Sequence, residues 1–203
     1  METNKEIFEA IEQEDTIRCL ALLDSGVPID HRGTYRETPL IAAARVANVE
    51  LVRGLLERGA KVDSHDNGGK TALHAAVRSV YTESLEIITL LLEAGADINA
   101  LDNSKTTPCF GAVSCNFLEA LELLVESGAD FEIEDQWGEK PVDIALCHDR
   151  EECIDFLINN GASLKEEHSK YDWKYEAVSA YFKKQHTAKK TQKFLNYRKY
   201  LGR

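Results

Sequence analysis

A glycine followed by a small apolar residue returns at fixed spacing through most of the chain: Gly26-Val27, Gly59-Ala60, Gly95-Ala96, Gly128-Ala129 and Gly161-Ala162. The intervals are 33, 36, 33 and 33 residues. A second marker runs in phase with the first. Thr38-Pro39-Leu40, Thr71-Ala72-Leu73-His74, Thr107-Pro108-Cys109 and Lys140-Pro141-Val142 each begin 12 residues after one of the glycines. Two independent markers locked in phase define a repeat. A period of this size describes units that cannot bury an apolar face alone and must stack to do so.

The physics of one unit reads directly from its residues. Thr38 is suited to cap a helix, and Pro39 to its first turn, where a missing N–H costs nothing. Small residues follow (Ala42, Ala43, Ala44; Ala75, Ala76; Gly111, Ala112), so neighbouring helices can approach closely. A turn is expected near Ala47-Asn48, Asn116 or Asp149. A second helix then carries an apolar stripe, such as Leu51, Val52, Leu55 and Leu56, or Ile87, Ile88, Leu90, Leu91 and Leu92. The marker glycine ends that helix in a left-handed cap. A polar link such as Asp63-Ser64-His65-Asp66-Asn67-Gly68-Gly69 suits a projecting hairpin.

Leu91-Leu92-Glu93-Ala94-Gly95-Ala96-Asp97-Ile98-Asn99-Ala100, with Thr71-Ala72-Leu73-His74 ahead of it, resembles the ankyrin repeat pattern. The resemblance covers residues 5 to about 166. It implies an all-α solenoid of stacked helix-turn-helix units with hairpin links, in five repeats near 5–34, 35–67, 68–103, 104–136 and 137–166. Residues 1–166 form the expected repeat domain and 167–203 a C-terminal helical extension. The first repeat replaces the Thr-Pro-Leu-His start with Lys5-Glu6-Ile7-Phe8, as suits an end cap with a wet outer face. The third carries three extra residues within Ser79–Ser84, expected to lengthen a loop or a helix end. The hairpin glycine, present as Gly69 and Gly138, is replaced by Arg36 and Lys105. Looser hairpins are the expectation there.

Charge divides the chain. Net charge is -11, yet residues 165–203 hold 11 Lys/Arg against 4 Asp/Glu, a balance of +7. Residues 1–164 hold 13 against 31, a balance of -18. An acidic body repels phosphate, which argues against non-specific nucleic-acid binding by the repeats. No window approaches the roughly 18 consecutive apolar residues of a membrane span. The opening residues show no basic start or apolar core, so the sequence predicts a cytoplasmic or nuclear protein that is not secreted. The odd set of Cys19, Cys109, Cys115, Cys147 and Cys153, with no CxxC, reads as reduced thiols. Cys19, Cys109 and Cys153 fall at core phases.

The resemblance implies that partners meet the hairpin tips and the exposed side of the first helices, the concave face. Phase mapping puts Arg32, Tyr35, Arg45, His65, Lys70 and Arg78 there from the first half of the stack, with Tyr81 nearby. Trp137 and His148 join them from the last repeat. Arg, Tyr and Trp are enriched at binding hot spots. The expected partner is a protein or peptide with an acidic segment, and the chain itself a monomer. A scattered set of surface residues is the alternative. No phosphate loop, HExxH or GxSxG occurs, so the sequence predicts no enzyme, cofactor or metal. His74 stands at the Thr-Pro-Leu-His position, where the resemblance implies a local structural hydrogen bond.

Two further readings concern the extension and one asparagine of the third repeat. In the extension, Tyr171, Tyr175, Val178 and Phe182 form a helical stripe expected to cover the end of the stack. Beyond them, Lys189, Lys190, Lys193, Tyr197, Arg198 and Lys199 interleave cations with rings, a pattern that could bind nucleic acid or an anionic surface. Asn99 sits in a segment resembling the ankyrin sequence recognised by the asparaginyl hydroxylase of the hypoxia pathway. Leu91 lies eight residues before it, Asp97 two and Ile98 one, whereas the equivalent positions in other repeats are Asp30, Asp63, Glu132 and Lys165.

Overall fold

The computed structural model describes residues 3–79 and 81–163. The extension, with its stripe from Tyr171 to Phe182 and its basic set from Lys189 to Lys199, lies outside the described residues. Within them the chain is all-helical, with ten helices in five pairs and no strand. The first helices are α1 (Thr3–Glu12), α3 (Pro39–Arg45), α5 (Ala72–Arg78), α7 (Pro108–Ser114) and α9 (Pro141–Cys147). The second helices are α2 (Thr16–Asp24), α4 (Val49–Glu57), α6 (Glu83–Glu93), α8 (Leu118–Glu126) and α10 (Glu151–Asn159). Each first helix packs on its own second helix and on the first helices of adjacent pairs, and the second helices form a parallel column. The result is an ankyrin solenoid with one continuous core running its length.

The core follows the predicted phases. Leu51, Leu55, Ile87, Ile88, Leu91, Leu121 and Leu124 are fully buried on the second helices. Ala43, Ala76 and Ala112 are fully buried on the first. Thr38 caps α3 by accepting from Ile41 N–H at 3.3 Å. Every second helix ends on its marker glycine in the left-handed region, as at Gly59 (φ 81°) and Gly95 (φ 85°). The turns between helices reach the same region at Ala47, Asn116 and Asp149, where the sequence placed them. The insertion in the third repeat is shared out. α6 has 11 residues where α4 and α8 have nine, and the connection before it is one residue longer.

The expectation of looser hairpins at Arg36 and Lys105 is corrected. Arg36 (φ 58°) and Lys105 (φ 59°) adopt the left-handed conformation of Gly69 (φ 78°) and Gly138 (φ 75°). They also close the same bonds. Arg36 N–H reaches Gly33 O and Lys105 N–H reaches Asp102 O, both at 2.9 Å. The cause lies between hairpins: Asn67 N–H donates to Tyr35 O, Asn103 N–H to Gly68 O and Gln136 N–H to Ser104 O, each at 2.9 Å. This backbone ladder fixes the turn whatever residue fills it, and the strain is absorbed by a side chain that would rather not be there.

Candidate functional site

Three of the four hairpins are built on an aspartate. Asp66 Oδ1 accepts from Gly68 and Lys70 N–H, Asp102 Oδ1 from Ser104 and Thr106 N–H, and Asp135 Oδ1 from Trp137 and Glu139 N–H, all within 2.7–2.9 Å. These turns hold the tips rigid and present position three of each hairpin outward. Tyr35 and Trp137 occupy that position in the first and last hairpins, each 70% exposed. The first hairpin has Gly33 in place of aspartate, and the Phe8 ring packs there, 3.0 Å from where a Cβ would stand. Arg32 does part of the missing work by donating to the carbonyls of Arg36 and His65.

A groove of about 230 Å³ opens between the hairpins and the first helices of the third, fourth and fifth repeats. It brings together four of the nine residues singled out from the sequence: Lys70, Arg78, Trp137 and His148. Arg32, Tyr35, Arg45, His65 and Tyr81 stand outside its lining. Of these, Arg45 pairs with Glu37 at 3.5 Å and Arg32 is occupied by the carbonyls just named, so two of the expected cations serve the stack. Tyr81 is exposed in the connection before α6. Phase mapping of the hairpin tips and helix ends missed the groove's floor. Phe110, Gly111 and Ile144 lie along α7 and α9, and their neighbouring small residues signalled close packing rather than a surface.

Two titratable groups beneath this face are structural. His74 is buried, with Nδ1 accepting from Thr71 N–H at 3.3 Å and Nε2–H donating to the Thr106 carbonyl at 3.0 Å. Since a carbonyl only accepts, Nε2 carries the proton and the ring is neutral. Burial lowers its pKa in the same direction, outweighing the Thr106 carbonyl and nearby aspartates. Lys140, at a position where three other repeats carry threonine, is also buried. Its Nζ reaches Glu132 Oε2 at 2.7 Å and Ser163 Oγ at 2.6 Å. Burial alone would raise the Glu132 carboxyl, but hydrogen bonds from Lys140 and Ser163 hold it below the usual range. This ion pair was not visible in the sequence, because its members are 8 and 31 residues apart and meet only through stacking.

Asn99 belongs to another series. Its Oδ1 accepts from Asp130 N–H at 2.8 Å. The equivalent residues do the same one repeat along: Asp30 takes Lys61 N–H at 3.0 Å, Asp63 takes Asp97 N–H at 2.9 Å, and Glu132 takes Ser163 N–H at 2.8 Å. An acceptor at this phase joins neighbouring links.

The cysteines offer little chemistry. Cys19, Cys109 and Cys153 are buried as their phases required, and burial pushes their thiols up to about 11, 12 and 11. A thiol so protonated is a poor nucleophile. Cys115 and Cys147 are free and closer to the surface. Among the described residues no three His, Cys, Asp or Glu side chains are arranged to hold a metal, and no helix is long and apolar enough to cross a membrane.

Comparison with known proteins agrees with this architecture. A family model described as ankyrin repeats (3 copies) matches residues 7–102 and 81–168. The ankyrin repeat, SAM and basic leucine zipper domain-containing protein 1 of Oryctolagus cuniculus is 47% identical over 75 residues, which is 37% of this chain and 16% of that protein. Its counterpart in Equus caballus is 44% identical over 75 residues, with the same shares. The matched stretch thus spans 16% of the length of these relatives.

Proposed function

The chain belongs to the ankyrin repeat family, whose members generally mediate protein–protein interaction, and on that premise we propose that it is a non-enzymatic module holding a protein or peptide on its concave hairpin face. The observation that carries this reading is the groove where Lys70, Arg78, Trp137 and His148 converge on a rigid frame. A preformed frame reduces the ordering cost of association. Free cations against an otherwise acidic body favour a partner segment that is itself acidic, because steering and register both follow charge complementarity.

The test is affinity of the full chain for the protein it retains from its native cell extract, set beside the double variant Arg78→Glu with Trp137→Ala. A loss of tenfold or more is expected, since hot-spot truncations cost about 2 kcal/mol or more. Equal affinity with unchanged helix content would move the site off this face.

One other feature favours a second reading. The +7 balance of residues 165–203 suits an anionic ligand such as nucleic acid. Gel shifts at two salt concentrations separate the readings, because phosphate contacts weaken steeply as salt rises.

A further inference from the structure

At four positions around the groove the fourth repeat carries a smaller residue than one of its neighbours. At the last position of the first helix, Arg78 of the third repeat is followed by Ser114 in the fourth. At the hairpin exit, Lys70 is followed by Thr106. At hairpin position three, Trp137 of the fifth repeat is preceded by Ser104. Within the helices, Gly111 precedes Ile144, and α7 lies so close on α5 that a Cβ at Gly111 would stand 2.7 Å from Val77 Cγ2. The floor is therefore low and flat. One wall, from the third repeat, is cationic. The other, from the fifth, carries an exposed indole, Trp137, and Ile144.

The two carboxylates in the lining balance the two cations in formal charge but form no ion pair with them. Asp102 and Asp135 each turn Oδ1 onto two backbone N–H groups of their own hairpins. Among the described residues neither Lys70 nor Arg78 makes a salt bridge, whereas Arg45, Arg53, Arg58 and Lys140 all do. The cleft thus has a direction: charge-seeking at one side, apolar and flat at the other.

We propose that this cleft takes an extended segment of a partner polypeptide in one orientation, an Asp or Glu side chain against Lys70 and Arg78 and an apolar side chain across the fourth repeat against Trp137 and Ile144. The proposal rests on the interaction-module reading and specifies the ligand chemistry within it. An aromatic ring contributes apolar area at small entropic cost, and a carboxylate contributes register and orientation. Neither wall alone defines a direction, whereas both together select a two-residue pattern of acid and apolar at fixed separation.

The experiment presents a random 12-residue peptide library to the full chain and to three variants: Lys70→Ala with Arg78→Ala, Trp137→Ala, and Ser114→Trp. All four positions line the solvent-open groove, and helix content by circular dichroism checks each fold. The wild type is expected to enrich peptides with an acid and an apolar residue at one spacing. The first variant should lose the acid preference alone, the second the apolar preference alone, and Ser114→Trp should block recovery by filling the floor. A selected peptide should bind about tenfold more weakly after Glu→Gln or Asp→Asn exchange of its acid. Enrichment without the acid overturns the proposal while leaving the interaction reading intact. The same peptides enriched equally on every variant place the site off this face and overturn both.

Discussion

Along the second helices, charges answer one another across repeats. Arg53 meets Glu86 at 2.8 Å and Arg58 meets Asp24 at 3.2 Å, pairs that join α4 to α6 and α2 to α4. Along the hairpin side, Lys70 and Arg78 face a groove with no such partner among the described residues, and Tyr35 and Trp137 stand in the open. The helix column spends its side chains on holding repeat to repeat. The hairpin side is held by backbone ladders and aspartate turns instead, which leaves side chains to spare. Where the backbone carries the structure, the side chains are available for recognition.

The largest expected effect tests the core that both sides share. Leu91 is fully buried, so Leu91→Ala should cost about 2–5 kcal/mol in denaturant unfolding. A cost under about 1 kcal/mol would mean that the phase, and with it the division into two sides, is misassigned.

Next comes the exception, an ion pair that is structural and partly buried. Glu132→Gln leaves Lys140 without its counter-charge and should cost roughly 1–3 kcal/mol, less than a fully enclosed pair because the Glu132 side chain is 38% exposed. Arg53→Ala, whose partners are about half exposed, should change stability by under about 1 kcal/mol. Equal costs in the two variants would erase the distinction between pairs that hold the stack and pairs that decorate it. The Glu132 carboxyl is depressed in the folded state. Its contribution is therefore present above the ordinary carboxylate range and is lost as pH falls through the folded value.

His74 gives a smaller effect with a pH signature. Its folded pKa lies below the ordinary 6.5. Protonation therefore favours the unfolded chain, and stability present above pH 6.5 should decline as pH falls below it, by at most about 1.4 kcal/mol per pH unit. The difference in stability between the parent and His74→Gln, measured from pH 8 to pH 5, isolates this residue from the other histidines. A constant difference would remove the buried neutral ring from the account.

The hairpins provide the one expected gain. Left-handed backbone costs a residue with a side chain about 1–2 kcal/mol, and glycine entropy returns only part of it, so Arg36→Gly or Lys105→Gly should stabilise by about 0.5–1 kcal/mol. A loss of stability on thermal melting would show that these side chains, not the ladder, hold the turns. The smallest change is a single oxygen. We propose Asn99 as a substrate of the asparaginyl hydroxylase its segment resembles. Incubation should add about 16 Da to the Asn99 peptide, and an unchanged mass would end the idea.

The core was legible in the sequence because it depends on period alone. Leu91, Cys109 and Gly95 each had to fall where they did once the phase was set, and the structure places them so. The candidate site was legible only as a set of residues. Phase put Arg32, Arg45, Lys70 and Arg78 together, but not which of them would be consumed: Glu37 claims Arg45, and the Arg36 and His65 carbonyls claim Arg32. The hairpins at Arg36 and Lys105 were misread because residue preference is a local rule, while the bonds that impose the turn come from the next repeat. The role of Lys140 was not legible for the same reason. A lysine reads as surface until Glu132 and Ser163 are brought to it.

The series at Asp30, Asp63, Asn99 and Glu132 has a mechanical corollary. Each clasp joins a link to the one directly after it, across 31 to 34 residues, and helices pack chiefly on neighbours in the column. Tension or heat applied to such a chain need not dissolve it all at once. Losing one clasp loosens the joint it spans, while the helix packing at that joint remains. Opening the Glu132 clasp should therefore weaken the hold on the last repeat and spare the other four. Opening the Asp63 clasp should loosen the joint between the second and third repeats without dividing the stack, because α3 and α5 still pack across it.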